Sequence, residues 1–172
     1  STISANFMTF TQSGGTAFNV TTGKTLTISG TLISTTEAAS CSCDTNSLKV
    51  NSIAGYAGTV LLSGANTYKG TTTVAAGTLA VSNASGLGST NNGTTASSGA
   101  TLDLQNITVG AETVTLNGGT LATSTGTSSL GGAIALGANS IVSVAGTQLT
   151  LSGVISGTGL GITKSGSGTL VL

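Results

Sequence analysis

Proline, tryptophan, arginine and histidine are absent from this chain of 172 residues, and charge is confined to four lysines and four acids, Glu37, Asp44, Asp103 and Glu112. The charged fraction is 5%, against about 25% in an ordinary domain, which leaves few groups to move protons, hold metals or bind phosphates. Net charge is zero, so neither nucleic acid nor an anionic membrane surface has an electrostatic reason to attract the chain. No run approaches the ~18 consecutive apolar residues of a spanning helix, so membrane insertion by this segment is not expected. Two cysteines, Cys41 and Cys43, are too few and too local to staple a fold of this length.

What the chain has in abundance is Ser and Thr, 58 together, with 27 Gly, 11 Asn and an apolar fraction of 38%. That fraction suffices to bury a core, unlike the composition of a disordered polymer. Short runs alternate apolar residues with Thr, Ser or small side chains: Thr25-Leu26-Thr27-Ile28, Thr101-Leu102-Asp103-Leu104, Thr113-Val114-Thr115-Leu116, Ser140-Ile141-Val142-Ser143-Val144 and Gln148-Leu149-Thr150-Leu151. Period two marks strands with one buried face, which puts Leu151 inward. Gly and Asn clusters between the runs, such as Asn91-Asn92-Gly93 and Asn117-Gly118-Gly119, suit turns. β-Branched residues stand where a helix would need straight-chain ones.

Internal repetition decides among the all-β architectures. Leu26-Thr27-Ile28-Ser29-Gly30 returns as Leu149-Thr150-Leu151-Ser152-Gly153, 123 residues on, and Gly58-Thr59-Val60-Leu61-Leu62 returns as Gly168-Thr169-Leu170-Val171-Leu172, 110 residues on. Self-similarity of this kind points to a solenoid, here one domain over 1–172 with coils of roughly 20 residues. The two offsets differ by 13, so the first copy carries extra residues, read as a loop inserted at 35–47, because solenoids accept insertions at coil corners. The same alignment sets Leu172 in the position of Leu62.

The segment Leu62-Ser63-Gly64-Ala65-Asn66-Thr67-Tyr68-Lys69-Gly70-Thr71-Thr72-Thr73-Val74-Ala75-Ala76-Gly77-Thr78-Leu79 closely resembles the autotransporter-associated β-strand repeat of bacterial passenger domains. Leu151-Ser152-Gly153-Val154-Ile155-Ser156-Gly157-Thr158-Gly159, followed by Ile162-Thr163-Lys164-Ser165-Gly166-Ser167-Gly168-Thr169-Leu170, resembles it again. Lys69 stands where that family usually has Thr, Thr71 where a second Gly is common, and the loop at 35–47 has no counterpart. The resemblance implies an all-β, right-handed parallel β-helix (β-solenoid), part of a longer passenger, extracellular or on the bacterial outer cell surface. Asn66 is expected at a sharp corner, its side chain bonded to the backbone and a left-handed conformation costing little.

Chemistry-bearing groups are sparse. β-Helix enzymes acting on glycans need clustered carboxylates with basic partners, whereas Asp103 and Glu112 are nine residues apart and read as isolated solvent-facing acids. No catalytic, cofactor-binding or metal site is expected, since zinc wants four ligands. Gly23-Lys24-Thr25 lacks the earlier Gly of a phosphate loop, and Gly157-Thr158-Gly159-Leu160-Gly161 lacks the helix of a dinucleotide unit. Cys41 and Cys43 form a candidate disulfide, local or between molecules, with free thiols as the alternative; no neighbouring basic residue would lower a thiol pKa for redox work. Tyr56 and Tyr68 read as corner-packing residues. Phe7, Met8 and Phe10 make an apolar start that caps the stack or docks on another chain, with Leu170 and Leu172 as the other half of an end-to-end contact.

These readings point to a non-enzymatic rod, an adhesin stalk or extracellular fibre subunit, whose partners are further copies of itself end to end or a host or neighbouring-cell surface. The alternatives are an ice- or surface-binding solenoid, which needs Thr-x-Thr triplets at a constant coil interval, and a glycan-active enzyme. The second copy stops in mid-repeat at Leu172, so the natural protein is expected to continue or to be covered there by another subunit.

Overall fold

A computed structural model of the chain describes residues 2–3, 7–10, 15–34 and 47–172. Among them there is no helix, and all named strand pairs are parallel. The chain visits three faces in a fixed order and then climbs one rung, which makes it a β-solenoid. The first face is an eight-stranded sheet: Thr2–Ile3, Thr25–Ile28, Thr59–Leu62, Thr78–Val81, Thr101–Leu104, Thr120–Thr123, Ser140–Val144 and Ile162–Ser165. The second is split into a pair, Phe7–Phe10 with Thr31–Ser34, and a four-stranded sheet, Thr108–Val109, Thr127–Leu130, Gln148–Leu151 and Thr169–Val171. The third holds seven strands: Thr16–Phe18, Leu48–Val50, Thr72–Val74, Thr94–Ser97, Val114–Asn117, Ile134–Ala138 and Ile155–Ser156.

Alternation along each strand sends one set of side chains into the shared core. On the first face Val60, Leu79, Leu102, Leu121 and Val142 are successive register partners, and all are buried. Leu151 lies inward, as the period-two reading requires. The column ends at Lys164, which pairs with Val142 and whose Nζ donates to the Gly166 carbonyl at 2.8 Å.

Steps between rungs of the first face are 19 to 25 residues, as between Thr59 and Thr78 or Thr2 and Thr27, with one exception. Thr25 pairs with Thr59, 34 positions on. Residues 35–46, with Cys41 and Cys43, fall in that coil and lie outside the described residues.

The repeated sequence units do not share a face. Thr59–Leu62 is on the first and Thr169–Val171 on the second, and Leu62 is fully buried while Leu172 is 77% exposed. The placement of Leu172 at the position of Leu62 is therefore corrected. A Gly-Thr-apolar strand with its turn fills one third of a coil, and every face makes the same local demand of it, so the unit recurs without being in phase with the circuit. Gly58 and Gly77 show why glycine precedes the strands Thr59–Leu62 and Thr78–Val81. Gly77 has φ +64° and a Cβ there would strike the carbonyl of Gly58, itself stacked on the carbonyl of Thr21.

Candidate functional site

The polar residues that sequence pattern assigns to corners and surface turn out to occupy the interior. The second face has no strand in residues 63–71, and there Asn66 and Tyr68 turn inward. Asn66 Oδ1 accepts from the Leu32 amide of the coil before at 2.8 Å, and its Nδ2 donates to the Gly86 carbonyl of the coil after at 2.6 Å. It is buried at 3% exposure, and its backbone is not left-handed; that conformation belongs to Asn51 (φ 52°) and Asn106 (φ 55°). Asn51, on another corner, accepts from Val20 N at 2.8 Å and donates to Gly58 O and Ala76 O at 2.8 and 3.0 Å. Ser128 acts similarly on a smaller scale, accepting from Ile107 N and donating to Leu104 O. Buried backbone groups at coil corners have no ladder partner and need such side chains.

Tyr68 is fully buried, so it is a core residue, while Tyr56 is 38% exposed. The Tyr68 hydroxyl and Thr72 Oγ1 are 2.7 Å apart. Thr72 and Thr94 are register partners at inward positions of the third face, and Thr94 Oγ1 donates to Glu112 Oε1 at 2.7 Å. Burial pushes the Tyr68 phenol well above its ordinary value, against its bond to Thr72. It also raises Glu112 to about 7, a shift that the Thr94 bond opposes.

Both acids expected to face solvent are instead buried, Asp103 at 5% and Glu112 at 1% exposure. Asp103 lies at an outward position of the first face, between register partners Ala80 and Ala122, whose small side chains let it lie against the sheet. Its carboxylate accepts from Ser124 N at 2.8 Å, Ser124 Oγ at 2.6 Å and Gln105 Nε2 at 2.9 Å. Glu112 points into the core. The two share no partner, so they do not form a carboxylate pair for acid–base work.

On the outer side, Thr25, Thr59, Thr78, Thr101 and Thr120 are consecutive register partners, a threonine ladder at a spacing of about 4.8 Å. Linear sequence hides it because the steps vary. The adjoining outward column reads Thr27, Leu61, Ala80, Asp103, Ala122 and Ser143, so a two-column Thr-x-Thr array is not formed.

Of the residues assigned to an end-to-end contact, Phe7, Met8 and Phe10 lie on a strand paired with Thr31–Ser34, their side chains outside the described residues. Leu170 is half-buried against the core and pairs with Leu149, while Leu172 is exposed. Among the described residues no group of three or more Cys, His, Asp or Glu gathers to hold a metal ion, and no helix is long and apolar enough to cross a membrane.

Residues 56–81 and 162–172 match the family described as passenger-associated-transport-repeat, in keeping with an autotransporter passenger domain built from repeats. No curated protein and no solved structure matches the chain. The first matched segment is the coil in which Asn66 and Tyr68 replace a second-face strand; the second holds the strands Ile162–Ser165 and Thr169–Val171.

Proposed function

We propose that this chain is a rod-like segment of an autotransporter passenger, exposed outside the cell, with a mechanical and adhesive role as an adhesin stalk or extracellular fibre subunit. The observation that carries this reading is the use made of the family repeat. Its polar and aromatic residues, Asn66 and Tyr68, are consumed inside the coil in bonds to Leu32, Gly86 and Thr72, so the repeat builds length. The uncharged Ser and Thr exterior keeps such a rod soluble without a long-range field. Asp103 and Glu112 being bonded in separate places supports a non-enzymatic role.

The partners in this reading are a host or neighbouring-cell surface and further copies end to end, through Phe7, Met8 and Phe10 on one side and Leu170 and Leu172 on the other. Any segment laid on the last rung must accommodate Lys164 at the end of the inward column. A heterologous contact of this kind that does not close gives a filament. Cells expressing the full natural gene test the localisation: added protease should remove the solenoid from intact cells, and protection of it would sink the reading. Electron microscopy of the purified chain tests assembly, with fibres weakened by Phe10→Asp expected and monodisperse particles at high concentration counting against it.

A second reading, a surface-binding solenoid, draws support from the ladder Thr25, Thr59, Thr78, Thr101 and Thr120. Replacing Thr78 and Thr101 with Val, at no cost in shape, should abolish binding to a crystalline or mineral surface if that reading holds.

A further inference from the structure

Glu112 sits on a corner whose neighbours Gly110, Ala111 and Thr113 are exposed, yet its side chain turns inside. One carboxylate oxygen takes the Thr94 hydroxyl, and the other, Oε2, is sealed from solvent with no hydrogen-bond partner. Directly beneath, the Thr72 and Tyr68 hydroxyls pair. Because Thr72 and Thr94 are register partners, the two pairs stack into an internal polar column through three successive coils. The same inward position is apolar on either side, Leu48 before it and Val114 and Ile134 after it.

No opposite charge faces this carboxyl. The lysines on the elements packed nearby, Lys49 on Leu48–Val50 and Lys69 on the corner that carries Tyr68, have exposed side chains. Asp103 is engaged with Ser124 on the outer side of the first face, and Tyr68 stays neutral across the physiological range. An ionised carboxylate in this place has one donor and an orphaned oxygen, a costly state. Its route to water is one corner long, past the exposed Gly110 and Ala111. Gly131 N–H holds the Gly110 carbonyl at 3.1 Å, so the side chain, rather than the corner backbone, is what can swing out.

We propose that Glu112 is a proton-operated latch between two coils: protonated, it holds the corner at 110–113 closed against Thr94, and on losing its proton it swings to solvent and loosens that join. The folded chain holds this proton to about pH 7, against 4.5 for the free side chain. The folded state therefore binds more protons between those values, and stability is full below about pH 4.5, falls as pH rises to about 7 and then levels off. The absence of histidine gives the latch that window almost to itself, since no other side chain ordinarily titrates between about pH 5 and 8. Cysteine and the terminal amine enter only at its upper edge.

Carboxyl NMR is a direct test, because the chain has two glutamates, Glu37 and Glu112. The Glu112 signal should titrate near 7, and Thr94→Val should move it higher by removing the bond that favours the charged form. Amide exchange at Thr94 and Val114, whose N–H groups bond Thr113 O and Ala133 O, should quicken about tenfold between pH 5 and 8 beyond the intrinsic rate. Glu112→Gln should erase that excess. Titration of Glu112 near 4.5, an unmoved signal in Thr94→Val, or the same excess exchange in Glu112→Gln would each overturn the proposal. Should Glu112→Gln not fold, the wild-type and Thr94→Val titrations decide it.

Discussion

Leu32 N–H donates to Asn66 Oδ1 at 2.8 Å across one step of the stack, and the same asparagine reaches the other way to the carbonyl of Gly86. One side chain thereby holds three coils together at a point where the second face has no strand to do so. Asn51 repeats the device with Val20, Gly58 and Ala76. A solenoid with few aromatics depends on such bridges, because each corner interrupts the ladder and strands buried backbone groups.

Asn66→Ala and Asn51→Ala should each destabilise the chain by about 2 kcal/mol or more, since each leaves buried donors and acceptors unpaired. Asn66→Asp should be worse at neutral pH, where a carboxylate would face the Gly86 carbonyl, and should recover as acid supplies a proton to donate. Urea midpoints at pH 7 and pH 4 read both effects. Alanine variants with unchanged midpoints would show that these bonds are not holding the coils.

Tyr68→Phe keeps the ring and removes one hydroxyl, so a loss of about 1 kcal/mol is expected. Tyr68→Ala removes a fully buried ring where no strand closes the face, and a loss of about 3–5 kcal/mol is expected. Denaturant melts of the two variants should show that order. Equal losses would mean that the hydroxyl, with Thr72, matters more than the volume.

The solenoid was legible in the sequence because period-two runs and Gly-Thr strand units are local signals, and all five quoted runs contain strands. The face that each unit occupies was not, because one third of a coil looks alike on every side. The burial of Glu112 is hidden from the sequence for a related reason. A lone acid on a Gly-Ala-Glu-Thr corner reads as solvated, and what turns it inward is Thr94, 18 positions earlier and one coil below. Asn51 carries no turn glycine and none of the family context that singled out Asn66, so nothing local pointed to it. The threonine ladder was hidden by unequal steps between rungs.

Deleting residues 36–46 should leave the stack intact. The coil from Thr25 to Thr59 advances 34 residues, so removing 11 leaves 23, the step already seen between Thr78 and Thr101. The β-type circular dichroism should persist and the melting temperature should move by only a few degrees. Collapse would instead make the cysteine-bearing segment a clasp on which the fold depends.

Asp103 offers a test that separates stability from function. Its register partners are Ala80 and Ala122, so Asp103→Ala fits the column sterically and removes only the bonds to Ser124 and Gln105. Bonds to a charged group are worth about 1.5–3 kcal/mol each when sheltered, but the Gln105 side chain is half-exposed, so a total loss of about 1–3 kcal/mol is expected. Ser124→Ala should cost less, because the Ser124 amide keeps its bond to the carboxylate, and the double variant should fall short of the sum, as contacting pairs do. Adhesion or assembly of the folded Asp103→Ala chain should stay at the wild-type level, since this carboxylate is wholly engaged between coils. A folded variant that no longer adheres or assembles would place Asp103 in the functional surface and reopen an active role for the acid.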